Sequence, residues 1–141
     1  MADLRHSITI EAGPKKVYAA VATQKGMQGW WTRDTAMEAK VGGKAEFGFE
    51  KRAVVFRMRV EALEPGRRVA LSCTGDPAEW AGTTLEWTLR PSGKATTIDF
   101  CHGNWKGMTP YAAMCNSTWG ELMYRMKKFV ETGKPGPHWK G

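Results

Sequence analysis

His102 is the side chain in this sequence best suited to chemistry near neutral pH, because unperturbed imidazole titrates there. By strand alternation it shares a face with Thr96, Ile98 and Phe100, so it points inward with them. There it would orient a polar ligand head or act as acid and base. The favoured reading is blander: a histidine hydrogen-bonded inside the fold. Cys101 stands beside it, but neighbouring strand residues point to opposite faces, which rules out a Cys–His dyad. His6 is inward by register and reads as structural, and His138 lies in the tail. Three separated histidines with no carboxylate at ligand spacing give no metal site. The sequence also lacks paired inward carboxylates, a phosphate-cradling loop and a nucleophile elbow. Gly42-Gly43 is a turn with no helix after it. The reading therefore leans against an enzyme, and no cofactor is expected.

The unusual richness lies elsewhere. Seven Trp and eight Met occur in 141 residues, and such side chains pack cores but also line adaptable ligand cavities. The three cysteines, Cys73, Cys101 and Cys115, form no CxxC pair. They read as free thiols in a reducing, cytoplasmic setting. Cys73 and Cys115 fall on inward faces as small apolar fillers. The net charge of +7 is scattered rather than blocked, which favours solubility over attraction to an acidic partner. No basic stripe interleaves with exposed aromatics, so nucleic acid is not an expected partner. No apolar run spans a bilayer and no signal-peptide pattern opens the chain, so no membrane insertion is expected.

The elements that must position these residues follow from periodicity. Leu4 to Glu11 alternates as a strand with Leu4, His6, Ile8 and Ile10 on one face. Gly13-Pro14 breaks it and opens a short helix with Val17, Tyr18, Ala20 and Val21 inward. A second short helix over Gln24 to Trp31 is expected to be broken by Gly26 and Gly29. From there to residue 102 the period is two. Met37-Glu38-Ala39 is a short strand. Inward sets follow: Ala45, Phe47 and Phe49; then Val54, Phe56, Met58, Val60 and Ala62; then Val69, Leu71 and Cys73. Pro65-Gly66 turns between the last two. Gly75-Asp76-Pro77 opens a loop carrying Trp80. Leu85, Trp87 and Leu89 form the next inner face, turned by Pro91-Ser92-Gly93, and the strand ending at His102 is the last.

Thr109 to Gly133 carries both helix punctuation marks: Thr109 as N-cap with Pro110 behind it, and Gly133 as a left-handed C-cap. Tyr111, Met114, Cys115, Trp119, Leu122, Met123, Met126, Phe129 and Val130 fill one half of its circumference. At 1.5 Å per residue it is ~34 Å long, against about 29 Å for twice the radius of gyration of a chain this size. Such a helix crosses the whole molecule and needs a broad apolar cover. The sheet supplies it, since each strand has one apolar and one polar face. The expected fold is α+β, a curved seven-stranded antiparallel sheet wrapped around a long C-terminal helix. Two short helices follow the first strand, residues 1–141 form one domain, and the segment from Lys134 is an exposed tail.

With these elements in order, Ile8-x-Ile10-x-Ala12-x-Pro14-x-x-Val17-Tyr18, the Trp30-Trp31 pair, Val41-Gly42-Gly43, Leu63-Glu64-Pro65 and Trp119…Leu122…Met126-Lys127…Glu131-Thr132-Gly133 resemble the START-like, helix-grip (SRPBCC) superfamily. Within it the chain is most similar to the C-terminal-domain type of the heat-shock-chaperone ATPase activator homologues; the activator's N-terminal domain has no counterpart in these residues. The resemblance implies a deep apolar cavity between sheet and helix that binds a hydrophobic small molecule, lipid- or polyketide-like, without assumed catalysis. It leaves open a cyclase/dehydratase- or hydrolase-like enzyme using His102, or a chaperone-associated, stress-response interaction domain with a protein partner, monomeric or homodimeric. In this fold Trp30, Trp31, Trp80, Trp87, Trp105 and Trp119 would ring the cavity, with Phe47, Phe49, Met58 and Phe100 lining its wall. His102 and Trp105 would stand at its mouth, and Met114, Cys115 and Trp119 would face it from the helix.

Overall fold

The computed structural model describes residues 2–75 and 77–141; Asp76, in the expected turn before Trp80, lies outside the described residues. The elements run β1 (Ala2–Ile10), α1 (Pro14–Ala22), α2 (Gln24–Trp30), β2 (Thr35–Met37), β3 (Lys44–Phe49), β4 (Val54–Glu64), β5 (Arg68–Cys73), β6 (Thr84–Ser92), β7 (Ala95–Trp105) and α3 (Pro110–Thr132). Strands β2 to β7 form a meander, and β1 closes onto β7, giving the order β1-β7-β6-β5-β4-β3-β2. Every pair is antiparallel. This is the α+β helix-grip arrangement that the alternation predicts.

Helix α3 lies across the inner face. The Thr109 hydroxyl accepts from the Ala112 N–H at 3.1 Å. At the other end Gly133 adopts φ 81° and its N–H reaches the Phe129 carbonyl at 2.8 Å. Both caps satisfy backbone groups that the helix leaves open. The helix is pinned to β1 by His6 Nε2 and Asn116 Oδ1 at 2.8 Å, and by Lys127 Nζ donating to the Thr9 carbonyl at 2.7 Å. Leu122, Met123, Met126 and Val130 are buried beneath the sheet, which is the apolar stripe the sequence places there.

Several boundaries differ from the periodic reading, each for a tertiary reason. Helix α2 runs through Gly26 and Gly29 rather than breaking at them. A Cβ on Gly26 would lie 2.0 Å from the Ala19 carbonyl oxygen, and one on Gly29 would lie 2.1 Å from the Phe129 ring. These glycines are contact points that let α1 and α3 approach. Gly26→Ala should therefore reverse the usual sign. Alanine gains about 1 kcal/mol over glycine in a helix interior, yet the backbone clash is expected to cost about 3 kcal/mol. Urea unfolding of the variant checks this, and a raised midpoint would contradict it.

Strand β2 sits at Thr35–Met37, two residues earlier than expected, because the buried Thr35 hydroxyl bonds the Thr32 carbonyl at 2.7 Å and Gln24 Oε1 takes the Met37 N–H at 3.0 Å. The register of β4 on β5 slips between Val60 and Ala62, so its inward alternation ends at Val60. Pro91 and Ser92 belong to β6, and Gly93, at φ 62°, makes the turn. Strand β7 continues through Gly103 and Asn104 to Trp105, which pairs with Ala2.

The C-terminal segment is the largest departure. It is not a free tail but a strap. The N–H groups of His138 and Trp139 bond the carbonyls of Trp30 and Trp31, at 3.2 and 3.0 Å, and the Trp139 carbonyl accepts from Arg33 at 2.9 Å. Arg125 Nε donates to the Gly136 carbonyl at 2.6 Å, and Pro137 is buried.

Candidate functional site

The histidine comes first, because its geometry decides what kind of site this is. His102 is fully buried. The Trp119 indole N–H donates to its Nδ1 at 3.1 Å. Nδ1 is therefore an acceptor, and a neutral ring must carry its proton on Nε2. That proton faces the Thr83 hydroxyl at 2.8 Å, which in turn donates to the Trp80 carbonyl at 2.6 Å. Trp80 and Trp105 flank the ring at 4.4 and 4.6 Å. With both nitrogens occupied inside the core, burial drives its pKa down to about 3. The imidazole is a neutral link between α3 and the loop after β5. It lies buried behind the cavity rather than at its mouth.

In front of that link lies a cavity of about 540 Å³. Its wall is a closed belt of aromatic rings. Trp31 meets Phe49 at 6.1 Å between centroids, Phe49 meets Phe56 at 4.9 Å, and Phe56 meets Trp80 at 4.3 Å. Trp80 meets Trp119 at 6.1 Å, and Trp119 returns to Trp31 at 5.1 Å. Tyr111, Met114, Cys115 and Leu122 line the helix side. Met114 is 56% exposed because it edges the opening instead of lying under the sheet. Val54, Glu50 and Glu79 complete the rim. Burial pushes the Tyr111 phenol up to about 12 and the Cys115 thiol upward. A neutral thiol and a neutral phenol are poor nucleophiles at pH 7. Cys73, pushed to about 11 by burial, is inert for the same reason.

Of the residues singled out in the sequence, Trp31, Phe49, Met114, Cys115 and Trp119 line this cavity. Phe47, Met58, Trp87, Phe100 and Trp105 are buried in the core instead. Phe47 stacks on Trp31 at 4.3 Å, and Phe100 and Trp87 sit behind Trp119 at 4.4 and 6.5 Å. They support the belt from outside it. Trp80, expected to ring the cavity, does line it, whereas Trp30 lies in the core. Phe56 and Trp139 were not among the candidates. The inward register of Phe56 signals it; Trp139 lies in an aperiodic segment, where only the presence of an indole hints at packing.

Trp139 brings the strap into the site. Its ring meets Phe49 edge-on at 4.9 Å and forms part of the cavity wall. Trp139→Ala is expected to cost about 2 kcal/mol, half the figure for a fully buried Trp, and to widen the opening. Thermal denaturation checks the first effect, and a crystal structure of the variant the second.

Among the described residues no group of His, Cys, Asp and Glu is arranged to hold a metal ion, and no helix is long and apolar enough to cross a membrane.

Comparison with known proteins bears on the fold and the family. A search of curated proteins returned no match. Among solved structures, the "Aha1 dimer" of Colwellia psychrerythraea is similar at 32% identity and TM-score 0.86, covering 96% of this chain and 100% of that one. DynU16, "a putative protein in the dynemicin biosynthetic locus", superposes with TM-score 0.76 at 22% identity over 94% of this chain and 48% of its own. CalU16 of Micromonospora echinospora does so with TM-score 0.71 at 14% identity, over 93% of this chain and 77% of its own. At such identities these two speak for the shared fold. Residues 11–131 match the family described as "Activator of Hsp90 ATPase homolog 1-like protein", and that match over most of the sequence, with the Colwellia homologue, shows that the chain belongs to this family.

Proposed function

We propose that the protein binds a hydrophobic small molecule, of lipid- or polyketide-like character, in the cavity between its sheet and α3, and that it performs no chemistry on it. The observation that supports this most is the pairing of a belt of aromatic rings around a 540 Å³ space with a histidine tied off behind it. A space of that size is typical of small-molecule sites, and an apolar lining with few polar groups is their usual composition. The biosynthetic locus of the DynU16 neighbour agrees with this reading at the level of fold alone. The unpaired thiols agree with a cytoplasmic setting. Native mass spectrometry of protein purified from its own host should reveal a retained molecule, and a panel of lipids and polyketides should raise the melting temperature. A panel with no shift, together with an empty native spectrum, would end this reading.

A second reading is protein interaction, and the Colwellia homologue, solved as a dimer, favours it. On this reading the chain associates with a copy of itself or with a chaperone. Gel filtration across protein concentrations tests the first, and a pull-down at low salt tests the second. A concentration-independent monomer and an empty pull-down would remove both.

A further inference from the structure

The net charge of the chain is +7, yet the ionisable side chains at the rim of the cavity are two carboxylates. Among the described residues that line it there is no lysine or arginine; Glu50 and Glu79 are there instead. Their placement is built. Glu50 lies in a turn where three successive residues, Glu50, Lys51 and Arg52, have φ of 51°, 57° and 67°, a left-handed backbone that L-residues adopt only at an energetic cost. The turn is held by Arg52, whose guanidinium bonds Asp34 at 2.8 Å and Glu46 at 2.8 Å. That cation is thus engaged by other carboxylates and leaves Glu50 to the rim. Glu79 is oriented from α3 by the Thr109 hydroxyl, which donates to it at 3.2 Å. Behind both carboxylates stands the aromatic belt, and aromatic rings attract cations through their quadrupoles.

We infer that the cavity selects a cationic ligand: a flat or elongated apolar body seated on the aromatic belt, with a protonated or quaternary amine at the Glu50 and Glu79 rim. This deepens the proposed small-molecule function and rests on it. An anionic head, as on a fatty acid, would meet two like charges and no lysine or arginine among the described residues that line the cavity. A neutral ligand would leave the carboxylates unused. A cation gains both from the rings and from the rim, and long-range attraction by the rim operates against the sign of the protein as a whole.

The test compares three probes of one shape: naphthalen-1-ylmethylammonium, naphthalene-1-methanol and 1-naphthoate, each titrated calorimetrically at low salt. The ammonium is expected to bind about tenfold more tightly than the alcohol, a ratio worth about 1.4 kcal/mol, and the carboxylate most weakly. In the E50Q/E79Q double variant the ammonium should fall to the affinity of the alcohol while the alcohol keeps its own. Glutamine retains an acceptor for the Thr109 hydroxyl, so the rim stays in place. If the alcohol matches the ammonium, if the carboxylate binds best, or if the double variant leaves the ammonium's lead intact, the charge selectivity is refuted and the cavity reading survives. If none of the three binds, both fall.

Discussion

Replacing Trp119 by alanine is expected to leave the protein largely unfolded at room temperature or to lower its melting temperature by about 15 °C. The size of the effect follows from where the side chain sits. Trp119 is 2% exposed and its ring lies against Trp31, Trp80, Phe100 and His102, at 5.1, 6.1, 4.4 and 6.0 Å. Truncating a buried Trp costs about 3–5 kcal/mol in lost transfer energy and residual cavity. Losing the indole N–H also orphans the buried His102 Nδ1, which adds about 1–3 kcal/mol. Against a total stability of roughly 5–15 kcal/mol, that is a large part of the whole. Trp119→Phe separates the two contributions, because it keeps a ring but removes the donor. Its loss should be about a third as large. Denaturant unfolding of both variants decides the matter; a W119A midpoint within error of the parent would show that the belt does not hold the fold together.

Acid should weaken the protein well above the carboxylate range. In the unfolded chain a histidine takes up a proton near pH 6.5, whereas folded His102 resists until about 3. Its contribution to stability is therefore complete above pH 6.5 and declines as the pH falls, because the unfolded state binds the proton first. The loss is about 1.4 kcal/mol for each pH unit below 6.5, levelling off near pH 3. Asp99 and Glu131 also favour the folded state, since the Arg90 guanidinium and the Glu11 N–H respectively hold their carboxyls below the usual range. Their share is lost only as the pH falls through about 4 and below. The interval from pH 6.5 to 5.5 lies above the titration of these carboxylates and therefore reports on His102. His102→Gln, which can still accept from Trp119 and donate to Thr83, should be nearly flat over that interval in urea unfolding. Parallel slopes for parent and variant would refute the assignment.

What the sequence revealed and what it concealed divide along a physical line. Alternation in β1, β3 to β7 and the caps of α3 are local properties, visible in Leu4-His6-Ile8-Ile10 or in Thr109-Pro110 and Gly133. They sufficed for the sheet, the long helix and the inward direction of His102. Depth is not local. Alternation places His102 and Phe49 on one and the same inner surface; only the packing of Trp80 and Trp119 against His102 separates the link from the cavity wall. Gly26 and Gly29 looked like helix breakers because their value lies in what approaches them, Ala19 and Phe129. The strap was hidden because Lys134-Pro135-Gly136-Pro137 has no period at all, and its hydrogen bonds go to Trp30, Trp31 and Arg33, a hundred residues earlier. The loop that carries Trp80 was legible as a loop, but not its conformation, which Thr83 fixes by bonding the Trp80 carbonyl.

The aromatic belt has an optical consequence. Trp119 meets both Trp31 and Trp80 in the belt, and Trp30, Trp87 and Trp105 adjoin them at 5.9, 6.5 and 6.4 Å. Indoles this close exchange excitation energy and couple their transitions, so six of the seven tryptophans are expected to emit as one pool and to share a near-ultraviolet circular dichroism band. A molecule that settles against any one ring should dim or reshape the signal of all of them. The protein is in effect a self-labelled sensor of its own occupancy, readable without dye or tag.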